Sequence, residues 1–443
     1  MAIRIRNERA PVRRREPYSG AGADNRLAFL DQASFLGLRA TGLGALAQCV
    51  WVYQRAIDID ALRRFHHNLG HGLLGRRIER SPLPFARHRW ISWPGPSDID
   101  IADDARPPAE LSAWAEERAQ LPLDPEWGPS WHLGVLPLTD GSTAISLVFS
   151  HTVVDGRGGA RAIADAVAGH TRDLGYPPPR SRTRLRVAVQ DARQTAQGAP
   201  EVARALIAAA KLARRRRHDI ARSGAPRPIA SGRADRDDAI VVPRVTIHID
   251  LDDWDARAKA LGGTSNSLLA GFAAKLAERL GRRRGGDGAV TLNSQVSDRT
   301  EDDTRGNALS LASVSVDPTR VTTDLRDVRA AIKAALRTLG EVPDESLLLL
   351  PLTPLVPKRV VNRLLAVAFS DAELPVGCSN LGDIDPAVGR PDGTDADYFS
   401  ARLGDQHVTR HTLERRTSQL SLLSGRICGK IFITIEGVDG QFA

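Results

Sequence analysis

The stretch FSHTVVDGRGG, residues 149–159, holds the residue types and spacing best suited to chemistry. His151 closes the run TAISLVFS, in which Ala144, Ser146, Val148 and Ser150 alternate with Ile145, Leu147 and Phe149, the period of a strand. A histidine at a strand end is carried by a rigid element and opens onto a loop. A general base needs that placement, because it must lie within hydrogen-bond reach of the proton it takes. Asp155 stands four residues on and Gly156 follows, where glycine permits a tight backbone turn that a side chain would obstruct. By itself, one His near one Asp also fits a structural pair. A lesser alternative for Asp155 is the N-cap of a helix read in GARAIADAVAGH.

Other chemistries find less support. The sequence has no G-x-S-x-G elbow and no P-loop. GLGALA at 42–47 imitates a dinucleotide loop, but a strand follows where a helix is required. His67 and His71 have a metal-compatible spacing, yet no third ligand is suggested and surface histidines are the simpler reading. Cys49, Cys378 and Cys428 form an odd set without metal spacing, which fits a reducing, cytoplasmic setting and argues against a disulfide framework or a zinc site. Cys378 reads as a small buried thiol. No metal and no tightly bound cofactor are expected.

The pattern H-x-x-x-D-G after a hydrophobic strand resembles the signature of condensation domains and their acyltransferase relatives. These include chloramphenicol acetyltransferase, polyketide-associated acyltransferases and the bacterial wax ester synthase / diacylglycerol acyltransferases. The last group is similar over most of residues 25–443. RLAFLDQASFL, GRRIERSPLPFARHRWI, LPLDPEWGPSWHLGVL, GGTSNSLLAGFAAKL, SDRTEDDTRGNALS and VGCSNLGDI follow in that group's order. The family usually carries two adjacent histidines, the second being the base. Here Ser150 stands first and His151 keeps the base position. The family's Asn-Asp pair is Asn266-Ser267, which leaves Asn266 as a candidate and removes any role for the Asp. The resemblance implies that Asp155 is a structural support, ion-paired to an arginine and turned away from His151, not the third member of a hydrolase triad. Arg299 is the candidate partner. Gly156, Asn266, Ser379 and Asn380 are the substrate-binding candidates.

The same resemblance implies direct acyl transfer in a ternary complex. The donor would be a coenzyme A or carrier-protein phosphopantetheine thioester, and the acceptor a hydroxyl or an amine, with ester formation preferred. A thioester has a good leaving group, so a single base suffices and no activated nucleophile is needed. The alternatives are an amide-forming condensation enzyme and a non-catalytic binding or scaffold protein on a degenerate acyltransferase fold, which the loss of the first histidine leaves open.

The elements that must position these residues are α/β (α+β). The resemblance implies two chloramphenicol-acetyltransferase-like lobes, each a mixed β-sheet with helices, with the site in a tunnel between them. AQCVWVYQRAIDID reads as a strand and IDIDALRRFHHNLGHGLL as a helix. HLGVLPL and TAISLVFS flank an Asp140-Gly141 hairpin turn. Farther on, IVVPRVTIHIDL, AVTLNSQVS, NALSLASVSVD and GRICGKIFITIEG read as strands. GGTSNSLLAGFAAKLAERLG and TDLRDVRAAIKAALRTLG read as helices, with Thr264 or Ser265 capping the first and Gly281 ending it. The division expected is a basic leader at 1–24, an N-terminal lobe at 25–178, a basic helical linker at 179–237 and a C-terminal lobe at 238–443.

The chain has 443 residues, 42% of them apolar, enough for two cores. No stretch approaches the roughly 20 apolar residues of a membrane span. The basic N-terminus has no apolar run behind it and so is not a secretory signal. The net charge is +8, and between Arg180 and Arg222 twelve basic residues face three acidic ones. The lobes are therefore close to neutral and the charge belongs to the linker. A solvated crossover is the first reading of that linker. A patch for phosphates, an acidic carrier protein or an anionic membrane surface is the second. Nucleic-acid binding is disfavoured, because aromatic residues for stacking are scarce there.

Overall fold

The computed structural model describes residues 24–223, 241–341, 347–356, 375–409 and 420–437. The basic leader and the last part of the linker lie outside the described residues, as do the side chains of Arg215, Arg216 and Arg217. The first half of the chain runs α1 (Phe29–Thr41), β1 (Gly44–Tyr53), α2 (Ile59–Leu69), β2 (Arg76–Glu79), β3 (Arg89–Ser92), β4 (Asp100–Ile101), α3 (Leu111–Gln120), β5 (Trp131–Pro137), β6 (Thr143–Ser150) and α4 (Gly156–Val167). Two helices form the linker, α5 (Arg184–Gln197) and α6 (Ala199–Ser223). The second half runs β7 (Arg244–Asp250), α7 (Leu251–Ala260), α8 (Ser265–Arg279), β8 (Val290–Ser297), β9 (Leu309–Val316), α9 (Arg326–Glu341), β10 (Val376–Asp383), β11 (Tyr398–Gln406), β12 (Leu420–Ile427) and β13 (Lys430–Gly437).

Two mixed sheets make two lobes. The first has the order β11-β1-β6-β5-β4 and the second β7-β13-β12-β10-β8-β9. β6 is the centre of the first sheet, paired antiparallel to β1 and β5, and all eight of its residues are buried. Asp140 and Gly141 make the turn before it: Gly141 has φ +86°, and the Asp140 carboxylate accepts the Ser142 N–H at 3.0 Å. Local caps set the helix starts. Asp58 accepts two N–H groups at the head of α2, and Thr264 and Ser267 form a reciprocal capping box on α8.

The strand β11 belongs to the C-terminal range 238–443 but pairs with β1 in the first sheet, from Gly44↔Gln406 to Val52↔Tyr398. The lobes therefore share a strand as well as a core. The apolar cluster around Trp51, Trp131 and Phe149 continues into Ile384, Leu423, Ile427 and Phe432 of the second half. Two readings need correction. GRICGKIFITIEG is not one strand but the end of β12, a turn at Cys428 (φ +53°) and Gly429 (φ +70°), and β13. The linker, whose sequence shows one basic helix in PEVARALIAAAKLARRRRHDIARSG, carries two, and α5 is anchored to the first lobe: its buried Asp191 pairs with the buried Arg89 and accepts from Ser81 Oγ at 2.5 Å. Among the described residues no helix is long and apolar enough to cross a membrane, and no cluster of three or more His, Cys, Asp or Glu could hold a metal.

Candidate active site

The ladder of β6 ends where His151 leaves it. The His151 backbone N–H still donates to the Ala45 carbonyl at 2.9 Å, so the chain turns away from the sheet with its backbone fixed. The ring sits on the wall of a cavity of about 320 Å3 between the lobes. Burial lowers its pKa below the ordinary histidine value; the Asp155 charge, the His151 carbonyl and the Asn307 side chain oppose that shift without reversing its direction. The imidazole is therefore neutral at pH 7, the form a base requires.

Asp155 faces away from the cavity and binds the second lobe. Its Oδ1 accepts the Gly158 N–H at 2.7 Å and Arg299 Nε at 3.2 Å, and its Oδ2 accepts Arg299 Nη2 at 2.7 Å and the Ala308 N–H at 2.9 Å. The side chains of Asp155 and Arg299 are 0% and 5% exposed. Asp155 thus caps α4 and holds a buried ion pair at once, so the two structural readings of it coexist. Gly156 does not have positive φ and is the first residue of α4. A Cβ there would stand 3.1 Å from Leu381 Cδ2, so its smallness serves the approach of β10. The tighter position is Gly158, where a Cβ would lie 2.5 Å from Val154 Cγ2 and 2.9 Å from Arg299 Cζ.

The segment between β8 and β9 is clamped by three residues that the motif alone does not reveal. Asp31, on α1, accepts the Gly306 N–H at 2.8 Å and the Asn307 N–H at 2.7 Å. Burial pushes its carboxyl above the usual range, against these donors and the nearby Arg76. Arg76 donates to the carbonyls of Thr304 at 2.5 Å and Val153 at 2.8 Å, joining both lobes. Asn307 donates from Nδ2 to the His151 carbonyl at 3.2 Å. A signal for Asp31 was present in AFLDQASFL: Asp31 and Phe35 are one helical turn apart, on the buried face of α1.

Gly156, Asn266, Ser379 and Asn380 line the same cavity as His151. Asn266 sits in the first turn of α8, and Asn380 Nδ2 donates to its Oδ1 at 3.2 Å. Ser379 Oγ donates to Gln295 Oε1 at 3.2 Å. Leu292, Leu309, Val314, Ile332 and Leu336 give the second lobe's wall an apolar side. Cys49 and Cys378 reach the cavity too, but burial pushes both thiols up to about 12, so neither is a thiolate at neutral pH. Ser150 is buried and is not among the lining residues.

No protein-family model matches the sequence, and no curated protein matches it. Solved structures do share the fold. The first condensation domain of the CDA synthetase superposes with a TM-score of 0.55 at 13% identity, over 95% of this chain and 93% of that one. Polyketide synthase associated protein 5 from Mycobacterium tuberculosis gives 0.50 at 16% identity, over 93% and 92%. The nonribosomal peptide synthetase FmoA3, in its AMPPNP-bound form, gives 0.50 at 19% identity, and this chain, 95% covered, spans 40% of that larger protein. The fold is thus that of condensation domains, two sheet-containing lobes around a shared cleft.

Proposed function

We propose that the chain is an acyltransferase that moves an acyl group from a coenzyme A or carrier-protein thioester to a hydroxyl or amine acceptor, with His151 as general base. The observation that carries this reading is the placement of a neutral imidazole at the end of β6, on the wall of an inter-lobe cavity. His151 takes the acceptor's proton as its oxygen or nitrogen attacks the thioester carbonyl. The tetrahedral oxyanion collapses with cleavage of the C–S bond, and the imidazolium returns the proton to the departing sulfur. The Asn266 side-chain amide N–H, on the same wall, is a neutral donor available to the oxyanion. Asp155, Arg299, Asp31 and Asn307 are positioning residues that hold the His151 turn.

The wax ester synthase-like motifs favour a hydroxyl acceptor; the fold alone is compatible with amide formation. The second reading, a non-catalytic binding or scaffold protein on a degenerate acyltransferase fold, is separated from the first by whether thioester turnover exists and vanishes with His151→Ala. Exposed Arg214, with Arg184, Arg186, Arg193 and Arg204 on α5 and α6, makes the linker a candidate surface for an acidic carrier protein or an anionic membrane.

The test is turnover of a panel of acyl thioesters, read by free-thiol release, with alcohols and amines as acceptors. His151→Ala should lose about 100-fold or more in kcat, the usual scale for a general base, with an unchanged melting temperature. The wild-type rate should rise with pH through a pKa below the ordinary histidine value. Near-normal turnover in His151→Ala would remove the mechanism.

A further inference from the structure

The two linker helices form one arm. Gly198, between them, keeps helical backbone angles, φ −80° and ψ −6°. Its N–H donates to the Gln194 carbonyl at 3.1 Å, and the Val202 N–H donates to the Gly198 carbonyl at 3.2 Å, so the helical ladder crosses the junction. The helical phase therefore continues along the arm. Val187, Asp191 and Ala205 are its buried side. On the opposite side Leu185, Val189, Leu206 and Ile207 are 76%, 62%, 56% and 57% exposed. A helix that buries one face normally turns a polar face outward, so this line of large aliphatic side chains in water is out of place. Exposed Arg186, Arg193, Arg204 and Lys211 follow at spacings of 7, 11 and 7 residues, a single row about a quarter turn from the apolar line. The acidic residues of 184–214 are Asp191, paired with the buried Arg89, and Glu201, roughly 160° around the helix from Leu185. The arm's outer side is thus an apolar line with a basic border and no negative charge.

We propose that this side of the arm docks on an anionic lipid surface, with its aliphatic side chains entering the headgroup boundary and its basic row facing the lipid phosphates. The proposal rests on the reading of the linker as an interaction surface, not on the chemistry of His151. A helix with one apolar side and a border rich in Lys and Arg lies in the plane of such a surface. Anionic lipid supplies the charge that the row lacks, and an apolar layer beneath it for the aliphatic line. A second copy of the chain fits worse, because pairing two arms gives neither basic row an acidic partner. An acidic carrier protein also fits worse. It matches the basic row, but a small convex domain covers only part of a line that runs about 33 Å from Leu185 to Ile207.

Flotation of the full chain with vesicles of phosphatidylcholine, alone or mixed with phosphatidylglycerol, tests this without any thioester. The expected result is binding at least about 10-fold tighter to the anionic vesicles, weakening as salt is raised. Arg186→Gln/Arg193→Gln should weaken it about 10- to 30-fold, since each basic residue near an anionic surface is worth about 5-fold. Leu185→Gln/Ile207→Gln should weaken it about 10-fold or more. Its melting temperature should not change, because both side chains are exposed in the free protein. No binding to anionic vesicles overturns the inference. So does binding that Leu185→Gln/Ile207→Gln leaves intact, because charge alone would then explain it. Association with an acidic carrier protein, or with a second copy in sedimentation velocity, lost in these variants while vesicles go unbound, would keep the linker as an interaction surface and overturn the lipid. His151→Ala should float like the wild type. Thioester turnover without flotation would sink this inference alone, and flotation without turnover of any thioester would sink the acyl-transfer reading alone.

Discussion

Removing the positive partner of Asp155 is the sharpest test of how the site is held together. Arg299→Met keeps much of the side-chain volume but deletes the guanidinium. Asp155 would keep the Gly158 and Ala308 N–H donors at 2.7 and 2.9 Å and lose both arginine contacts, at 3.2 and 2.7 Å. The carbonyls of Asp303, Arg305 and Gly306 would also lose a charged donor, at 3.1, 3.0 and 2.9 Å. Breaking a fully buried pair costs about 3–5 kcal/mol, because a desolvated charge is left uncompensated. The two surviving N–H donors move the expectation for the carboxylate to the lower end of that range, and the stranded carbonyls raise it again, so a loss of about 4 kcal/mol is expected. In the double variant Asp155→Asn/Arg299→Met no charge is stranded. It should therefore be less destabilised than the two single variants added together, with a coupling of about 2 kcal/mol. Urea unfolding followed by tryptophan fluorescence gives these numbers from the midpoint and slope. An unshifted midpoint for Arg299→Met, or strict additivity, would refute the reasoning. In Asp155→Ala, an unshifted midpoint with lost turnover would mean that Asp155 acts on the reaction directly.

Three further outcomes are expected. Burial first, then the Arg80 charge, holds His88 at about 4, and burial first, then Arg118, holds His132 at about 3; the unfolded state then binds more protons below the ordinary histidine value, so stability present above about pH 6.5 should be lost as pH falls toward 4, and His88→Gln should flatten that slope in thermal melts. Gly158→Ala should lower stability by about 1–3 kcal/mol, whereas Gly156→Ala, which meets only the flexible end of Leu381, should cost far less; equal melting temperatures would contradict the packing described. Donor thioester alone should leave the intact mass unchanged, because the Cys378 thiol is protonated at neutral pH; a stoichiometric acyl adduct that Cys378→Ala abolishes would make this a two-step enzyme.

Much of the local framework was legible in the sequence, for identifiable reasons. β6 shows its period of two, and the Asp-Gly turn ahead of it fixes where it starts, so His151 could be placed at its end without a structure. Of the two linker helices, α6 is a run of helix formers and was read as the linker's one helix, whereas α5 went unread because it lies in a flank rich in Pro, Gly and Arg. β11 went unread because its pattern is interrupted by Arg402 and Asp405. Arg402 is tolerated there because Glu116 on α3, 286 residues away, accepts from its Nη1 at 2.7 Å. A charge that long-range pairing neutralises looks like a loop residue until the partner is known. The link between Asp155 and Arg299 spans 144 residues and has no spacing signature. It was reachable only through the resemblance of the surrounding motifs.

On the acyl-transfer proposal, the clamp around residues 299–308 also bears on how substrate would reach His151. The first lobe holds this segment through two buried carboxylates, Asp31 and Asp155, and through Arg76. Hydrogen bonds that involve a charged group are worth about 1.5–3 kcal/mol each, and most of these do. Parting the lobes here would break several together, so even two or three lost at once hold the parted state to well under one molecule in a hundred. Because β11 ties the halves a second time through its ladder to β1, hinged opening across the site is not an economical route. A route that leaves both ties intact must pass along the cleft, through gaps the sheets already have. The stretch beyond Gly377↔Asn293, where β8 and β10 no longer pair, is such a gap, because β8 is fixed from its outer side by β9 and β10 by β12, and neither need move to admit a narrow chain.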